Sequence, residues 1–263
     1  MPALYTHNRF GAAVVEHLED ELKEIIKKHY TQFRIGLQGP DIFFFYRPWK
    51  KCEVSQFGYG MHDEYADTFF EKAAEIVRQK GRDSREYAYI LGFICHFSLD
   101  SECHPYVEKM VDEIGVGHIE IEGELEKHLL RLDNRDPLAY PIWKFIPTDE
   151  STVDAIHQIF KERTKEEIEA ALKTMKFIKK FLTAPSRGKQ KIINFLMKIT
   201  RLDKHYHGMM HAYYDNPKCS DTNHNLECRF NQAVLIAKSL IQSYDETVQN
   251  GTQINERFHR TYD

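Results

Sequence analysis

The sequence predicts an all-α fold, organised as one multi-helix domain over residues 1–263. Apolar residues recur at intervals of three and four through most of the chain, which is typical of amphipathic helices. No segment alternates apolar and polar residues over several positions, as a half-buried strand would. Because no repeat, low-complexity tract or Ser/Gly linker divides the 263 residues, one domain is the simplest interpretation.

The predicted helices follow from this spacing in chain order. Asp83 or Ser84 is the expected N-terminal cap of a helix that runs to about residue 100 or beyond, with Glu86 in its first turn. Pro and Gly mark the turns, and residues 185–189 are the best candidate for a break. The segments are residues 10–29, residues 62–78, residues 83 or 84 to about 100 or beyond, a helix from about residue 118, residues 150–182 and residues 226–248.

Composition narrows the class of protein. Apolar residues make up 42% and charged residues 29%, as in globular chains, and a net charge of −4 argues against a nucleic-acid partner. The longest apolar run, residues 42–46, is too short for a transmembrane segment. Five Cys and no visible signal peptide predict free thiols and a cytoplasmic location, or a secreted protein if a signal has been removed.

Three polar residues at four-residue intervals predict a metal site. A four-residue step turns a helix by ~400°, so His96, Asp100 and His104 shift by only ~40° each and form one stripe. The intervening residues include Phe93 and Phe97, which would seat this helix in the core. Because unpaired imidazole and carboxylate groups are costly to bury, a bound cation is the expected partner.

Further ligand candidates stand on either side. His118 and Glu122 repeat the four-residue step, and Asp41 ends a segment made rigid by Gly and Pro. Imidazole nitrogen and carboxylate oxygen without thiolate are the ligands of catalytic zinc sites. The ordinary alternatives are a capped or surface His–Asp pair, and for His7 a helix cap or surface residue. The full candidate set is His7, Asp41, His62, His96, Asp100, His104, His118 and Glu122.

In these residues and their order, the sequence resembles the bacterial zinc-dependent phospholipases C. Their all-helical fold is shared with the single-strand-specific zinc nucleases. The resemblance rests on His7, Gly39-Pro40-Asp41, His62, the stripe from His96 to His104, and His118-x3-Glu122, so it covers the first half of the chain. It implies a helical bundle around a cluster of two or three zinc ions.

The resemblance also implies a ligand assignment. Asp41, His62, His96 and Asp100 would hold one zinc, His104, His118 and Glu122 a second, and His7 with a bridging Asp100 a third. In secreted relatives an N-terminal Trp supplies its amino group and carbonyl to the third zinc. This chain has no such Trp, but removal of Met1 would leave the secondary amine of Pro2 as an alternative ligand.

The implied activity is hydrolysis of a phosphodiester, phospholipid or related, by metal-activated water. Asp41 is the first candidate to orient or deprotonate the attacking water, and Glu122 is the second. Aromatic residues after Asp41 would either line an apolar entrance or, for at least two of them, lie in the core. They are Phe43, Phe44, Phe45, Tyr46 and Trp49.

Two other functions stay open at this point. One is a phosphohydrolase with adjacent His and Asp ligands, here His62-Asp63 with His7 or His29 and Asp100. The other is a non-catalytic helical protein that binds metal. Outside the candidate set, two groups of residues are expected to be ordinary: the surface histidines His205, His207 and His211, and the scattered Cys219, His224 and Cys228.

Overall fold

The computed structural model describes residues 3–200 and 208–262, and within them it contains helices and no strand. The all-α prediction is therefore confirmed. The α-helices are α1 (Leu4–Glu16), α2 (Asp20–Lys28), α3 (Tyr30–Gly36), α4 (Glu53–Asp63), α5 (Ala66–Lys80), α6 (Arg85–Ile114), α7 (His118–Leu132), α8 (Glu150–Ile159), α9 (Lys165–Leu182), α10 (Arg187–Thr200) and α11 (Ser220–Asn250). A 3-10 helix, Gly39–Phe45, follows α3.

The long helix α6 is the centre of the fold. The Ser84 hydroxyl caps it by accepting from the Tyr87 N–H, as the sequence predicted, and Gly115 ends it in the left-handed conformation. Every side chain from residue 87 to residue 101 is buried. A helix that is buried on all sides needs partners on all sides. Helices α3 and α11 pack most extensively against it.

Several predicted helices are interrupted. The segment 10–29 is two helices, because the chain turns at residues 17–19 while Val14, Leu18 and Leu22 all still reach the core. The segment 62–78 breaks at residues 64–65, between α4 and α5, so His62 lies near the end of α4. In each case the helices before and after the turn bury side chains in the same core. Apolar residues therefore recur every four positions across the turn, and the spacing does not reveal the break.

The predicted helix 150–182 is also two helices, α8 and α9. The interruption has a sequence signal, because Thr164 and Glu167 form a capping box that starts α9. The predicted segment 226–248 lies inside α11, and the helix predicted from His118 begins at that residue. None of the helices within residues 3–200 and 208–262 combines the length and the apolar character needed to cross a membrane.

Packing around α6 determines where the polar residues can meet. The buried apolar side chains form one continuous cluster with aromatic rings from several helices. Phe70 of α5 lies edge-on to Phe97 of α6, with ring centroids 5.7 Å apart. The 3-10 helix and α1 also pack against α6. Side chains from these elements therefore face the polar stripe on α6.

Candidate metal centre

The structure brings all eight candidate side chains into three groups that could hold a metal ion. Within each group, one nitrogen or oxygen atom from each residue lies within 4.8 Å of the others. His96 belongs to two groups, so these two adjoin. The groups are His7, His96 and Asp100; Asp41, His62 and His96; and His104, His118 and Glu122.

Asp100 of α6 is at the junction of the groups. Its Oδ1 lies 3.3 Å from His7 Nε2 of α1, and its Oδ2 lies 3.2 Å from His96 Nε2. The same Oδ2 is 3.7 Å from His104 Nε2, one turn further along the helix. The His7 and His96 rings stack with their centroids 4.6 Å apart. One carboxylate thus faces three imidazoles from two helices.

The second group is formed where the 3-10 helix and α4 meet α6. Asp41 Oδ1 lies 3.2 Å from His62 Nε2. The 3-10 helix can approach the His96 ring only because Gly39 has no side chain: a Cβ there would lie 2.1 Å from His96 Cδ2. Gly39 also has a φ of +48°, which favours glycine. The sequence Gly39-Pro40-Asp41 therefore has a steric role beside the centre.

The third group joins the end of the α6 stripe to the first turns of α7. Glu122 Oε1 lies 3.4 Å from His104 Nε2 and 3.2 Å from His118 Nε2. The four-residue step places His118 and Glu122 on one face of α7. Burial is nearly complete for the candidate residues except His118, whose side chain is 23% exposed. His118 is therefore the most exposed of the candidate residues.

These separations fit a shared metal ion better than hydrogen bonds. Two ligands bound tetrahedrally at about 2.0–2.1 Å from zinc are about 3.3 Å apart, and the close nitrogen–oxygen pairs here span 3.2–3.4 Å. Hydrogen bonds to charged oxygens are shorter. The buried Nε2 atoms of His62 and His96 make no hydrogen bond of acceptable geometry within residues 3–200 and 208–262. The residues present therefore fit zinc.

Two histidines are oriented by acceptors that the sequence did not reveal. His62 Nδ1 donates to the Gly58 carbonyl at 2.9 Å, and His118 Nδ1 lies 2.5 Å from the Glu108 carboxylate. With Nδ1 as the donor, Nε2 keeps its lone pair for the interior of the centre. Metal-binding histidines usually have such a partner on the other ring nitrogen. The Gly58 contact needs only the four-residue step along α4.

The charge states also suit a cation. Burial lowers the pKa of His96 to about 3, so this imidazole is neutral at pH 7. Burial opposes ionisation of Asp100, but the neighbouring His96 and His104 hold the pKa of its carboxyl well below the usual range. Burial opposes protonation of His118, but the Glu122 carboxylate outweighs this effect and raises the pKa of the His118 imidazole. Neutral imidazole and ionised carboxylate are the forms that bind metal.

The second half of the chain contributes neighbours that no motif predicted. The Tyr262 ring packs 5.1 Å from the His62 ring and 5.9 Å from the His96 ring. Glu126, one turn beyond Glu122 on α7, accepts from the Tyr5 N–H and pairs with His211. Tyr262 stands alone at the end of the sequence and His211 far from the stripe, so spacing carries no signal for either.

The prediction that His211 belongs to a solvated patch is wrong, because its side chain is 9% exposed and its Nε2 lies 2.8 Å from Glu126. His205 and His207 lie outside the described residues. Among the aromatic residues after Asp41, the core interpretation holds for Phe43, Phe44 and Phe45, whereas Trp49 is 71% exposed.

The residues of the rival site do not assemble. Asp63 is exposed and, over the described ranges, belongs to none of the groups that could hold a metal, although it follows His62 directly. His29 lies 3.4 Å from Asp83, not near His7 or Asp100. Cys219 and Cys228 are free thiols, and no candidate metal group within residues 3–200 and 208–262 includes them.

Fold and side-chain chemistry together define an all-α protein with a candidate zinc centre. The chain matches the family model described as zinc dependent phospholipase C over residues 6–184, more than half its length, and it belongs to that family. The match spans all eight candidate residues and continues past Glu122 to the end of α9, beyond the part that the motifs predicted. No curated protein and no solved structure matches the chain.

Proposed function

We propose that this protein is a zinc-dependent hydrolase of phosphodiesters, with a phospholipid or a related phosphoester as its substrate. One observation carries the proposal: five imidazoles and three carboxylates form adjoining groups at ligand spacing, without a thiolate. Closed structural zinc sites are usually four-coordinate and often use Cys. A mixed nitrogen and oxygen centre with one solvent-facing member is typical of a site that keeps positions for water and substrate.

The residues have separate roles in this proposal. Two or three zinc ions would polarise the phosphoryl oxygens and bring the pKa of water toward neutrality. All eight candidates would act as ligands, with Asp100 shared between groups. Asp41 is fully buried, and its Oδ1 lies 3.2 Å from His62, so it would orient the attacking water and accept its proton. Glu122 is the alternative base, although two imidazoles already face its Oε1.

Substrate would enter from the side of His118, the most exposed ligand. A second feature lies beside the group that contains His62. The Phe44 ring lies 5.3 Å from the His62 ring and stacks on the Tyr59 ring, with the ring centroids 4.2 Å apart. Tyr59 is 55% exposed. The Tyr59 ring, packed on the buried Phe44 ring, offers an apolar surface beside the centre, which a lipid or an organic headgroup would contact.

Metal analysis and two assays test the proposal. Purified protein is expected to contain zinc and to cleave a chromogenic phosphodiester and phosphatidylcholine, with loss of activity in chelator and recovery on adding zinc. Asp41→Asn is expected to lower kcat by about 10²-fold or more, since a positioned base contributes about that much. Asp63→Ala is the matched control, because this exposed carboxylate adjoins His62.

Two outcomes would contradict the proposal. Zinc-loaded protein that cleaves no phosphoester would favour a non-catalytic metal protein. Loss of zinc in Asp63→Ala with retention in Asp41→Asn would favour the phosphohydrolase with adjacent His and Asp ligands.

A further inference from the structure

Helix α10 has two apolar faces, and only one of them is buried. Ile193 is 1% exposed, and Met197 packs against the core beside it. Four large apolar side chains on the other side are 44–64% exposed. At 100° per residue they fall within about 100° of one another, opposite the buried face. This exposed set, called the α10 outer face below, is Ile192, Phe195, Leu196 and Ile199.

Basic residues border the α10 outer face. Lys191 and Lys198 are exposed and lie along one edge of it, next to Phe195 on the helix surface. Over residues 173–200 the sequence has eight Lys or Arg and no Asp or Glu, although the whole chain carries a net charge of −4. This segment is therefore the strongly positive part of an acidic protein.

The preceding helix, α9, also exposes large apolar side chains and lysines. Phe177 and Phe181, one turn apart at the end of α9, are 67% and 41% exposed and lie with their rings 6.3 Å apart. Lys173 and Lys180 of this helix are exposed as well. Single exposed apolar residues are ordinary on protein surfaces, but a contiguous set marks an interaction site. The four side chains of the α10 outer face form such a set on one helix, and Phe177 and Phe181 form a stacked pair on the helix before it.

We propose that the α10 outer face docks on the surface of an anionic phospholipid bilayer. A helix with an apolar stripe bordered by Lys and Arg lies in the plane of a membrane interface, with its apolar residues among the acyl chains and its cations at the headgroups. Lys179 is buried, but the other seven cations over residues 173–200 are exposed or partly exposed, and they complement an anionic surface specifically. This inference goes beyond the proposed hydrolysis, because docking needs neither zinc nor catalysis.

Flotation of purified protein with lipid vesicles tests the docking. Wild-type protein is expected to float with vesicles of phosphatidylcholine containing about 30% phosphatidylserine, less with pure phosphatidylcholine, and less again when salt is raised from about 0.1 to 0.5 M. The double variant Phe195→Ser/Ile199→Ser is expected to need tenfold or more lipid for half-saturation. Leu235→Ser is the matched control, since Leu235 of α11 is 62% exposed outside this face.

A charge variant tests the electrostatic part. Lys191→Glu/Lys198→Glu is expected to weaken the preference for anionic vesicles. Lys72→Glu/Lys80→Glu, which reverses two exposed cations of α5, is expected to leave that preference unchanged. Every variant is also assayed for zinc content and for cleavage of a soluble chromogenic phosphodiester. Since neither depends on the α10 outer face, failure of docking and failure of the proposed hydrolysis are distinguishable.

Two results would overturn the docking proposal. One is equal vesicle binding by wild type and Phe195→Ser/Ile199→Ser. The other is a wild-type dimer, measured by sedimentation without lipid, that the same variant abolishes; a second copy of the chain would then cover this face.

Discussion

His7 Nε2 lies 3.3 Å from Oδ1 of Asp100, while the second oxygen of that carboxylate faces His96 at 3.2 Å. The Asp100 side chain thereby connects the first helix of the fold to the central one. It also lies between two of the candidate metal groups, since its Oδ2 is 3.7 Å from His104. A carboxylate with its oxygens divided in this way can bridge two cations.

Replacing Asp100 should therefore affect more than one group. Asp100→Asn is expected to lower the zinc content by more than one ion per chain if Asp100 bridges, because the amide cannot supply a negative charge to two cations. Elemental analysis of protein purified without chelator measures this. Asp112→Asn, an exposed substitution on the same helix, is the control. Full zinc content in Asp100→Asn would remove Asp100 from the ligand set.

Gly39 should be intolerant of a side chain. Gly39→Ala combines a φ of +48° with a Cβ 2.1 Å from the His96 ring, so either the 3-10 helix or the imidazole must move. We expect a loss of about 2 kcal/mol or more in the free energy of unfolding and weaker zinc binding.

Gly60→Ala is the matched control for Gly39→Ala. Gly60 lies in α4, and a Cβ added there would have no neighbouring atom within 4 Å, so alanine should be neutral or should stabilise the protein by about 0.5–1 kcal/mol. Urea denaturation of both variants gives the comparison. Equal stability of the two variants would show that the 3-10 helix has room beside His96.

The sequence could predict which candidate ligands of α6 and of α7 lie side by side, because their signal is local. On α6 and α7, residues four positions apart share a face, because four residues make about one turn of a helix. The assignment of Asp41 and His62 to one metal with His96 came from the family resemblance, since nothing local places a 3-10 helix against α6. Tyr262 and His211 were unpredictable for the same reason: Tyr262 reaches the rings of His62 and His96, and His211 reaches Glu126, through packing of distant segments. The breaks at residues 17–19 and 64–65 were missed because apolar spacing continues across a turn.

Acid should destabilise the metal-free protein through His96. Its pKa is about 3 in the folded state against 6.5 for an ordinary histidine. As the pH falls below 6.5, the unfolded chain binds a proton that the folded protein excludes, so stability falls with a slope that rises to about 1.4 kcal/mol per pH unit near pH 5. Urea denaturation of zinc-free protein between about pH 6.5 and pH 5 measures this slope. His96→Gln should flatten it.

His118 acts in a different pH window. Its pKa is raised by Glu122, against the effect of burial. The stabilisation from His118 is therefore complete below about pH 6.5 and is lost as the pH rises through the folded value. His118→Gln should leave the acid slope unchanged and reduce any loss of stability at higher pH. An unchanged acid slope in His96→Gln would contradict the assignment of that slope to His96.

The buried pair of Glu126 and His211 should be costly to break from one side. Glu126 Oε2 lies 2.8 Å from His211 Nε2, and His211 Nδ1 lies 2.8 Å from the Pro137 carbonyl, so both ring nitrogens have an oxygen partner. Glu126 Oε1 also accepts from the N–H of Tyr5, two residues before His7. Removing this buried carboxylate breaks the pair and releases the first turn of α1.

Glu126→Ala is accordingly expected to cost about 3–5 kcal/mol in the free energy of unfolding, as for other buried pairs. The matched control is Glu227→Ala, which breaks the pair of Glu227 with His128 at 2.9 Å on the surface, where both side chains are about 30% exposed. That substitution should cost about 0–1 kcal/mol.

Glu126→Gln separates the two contacts of Glu126. The amide oxygen of Gln still accepts from the Tyr5 N–H, but it carries no negative charge to pair with His211. If α1 holds His7 in place through Glu126, Glu126→Ala loses zinc while Glu126→Gln retains it; equal zinc in both would confine Glu126 to stability alone.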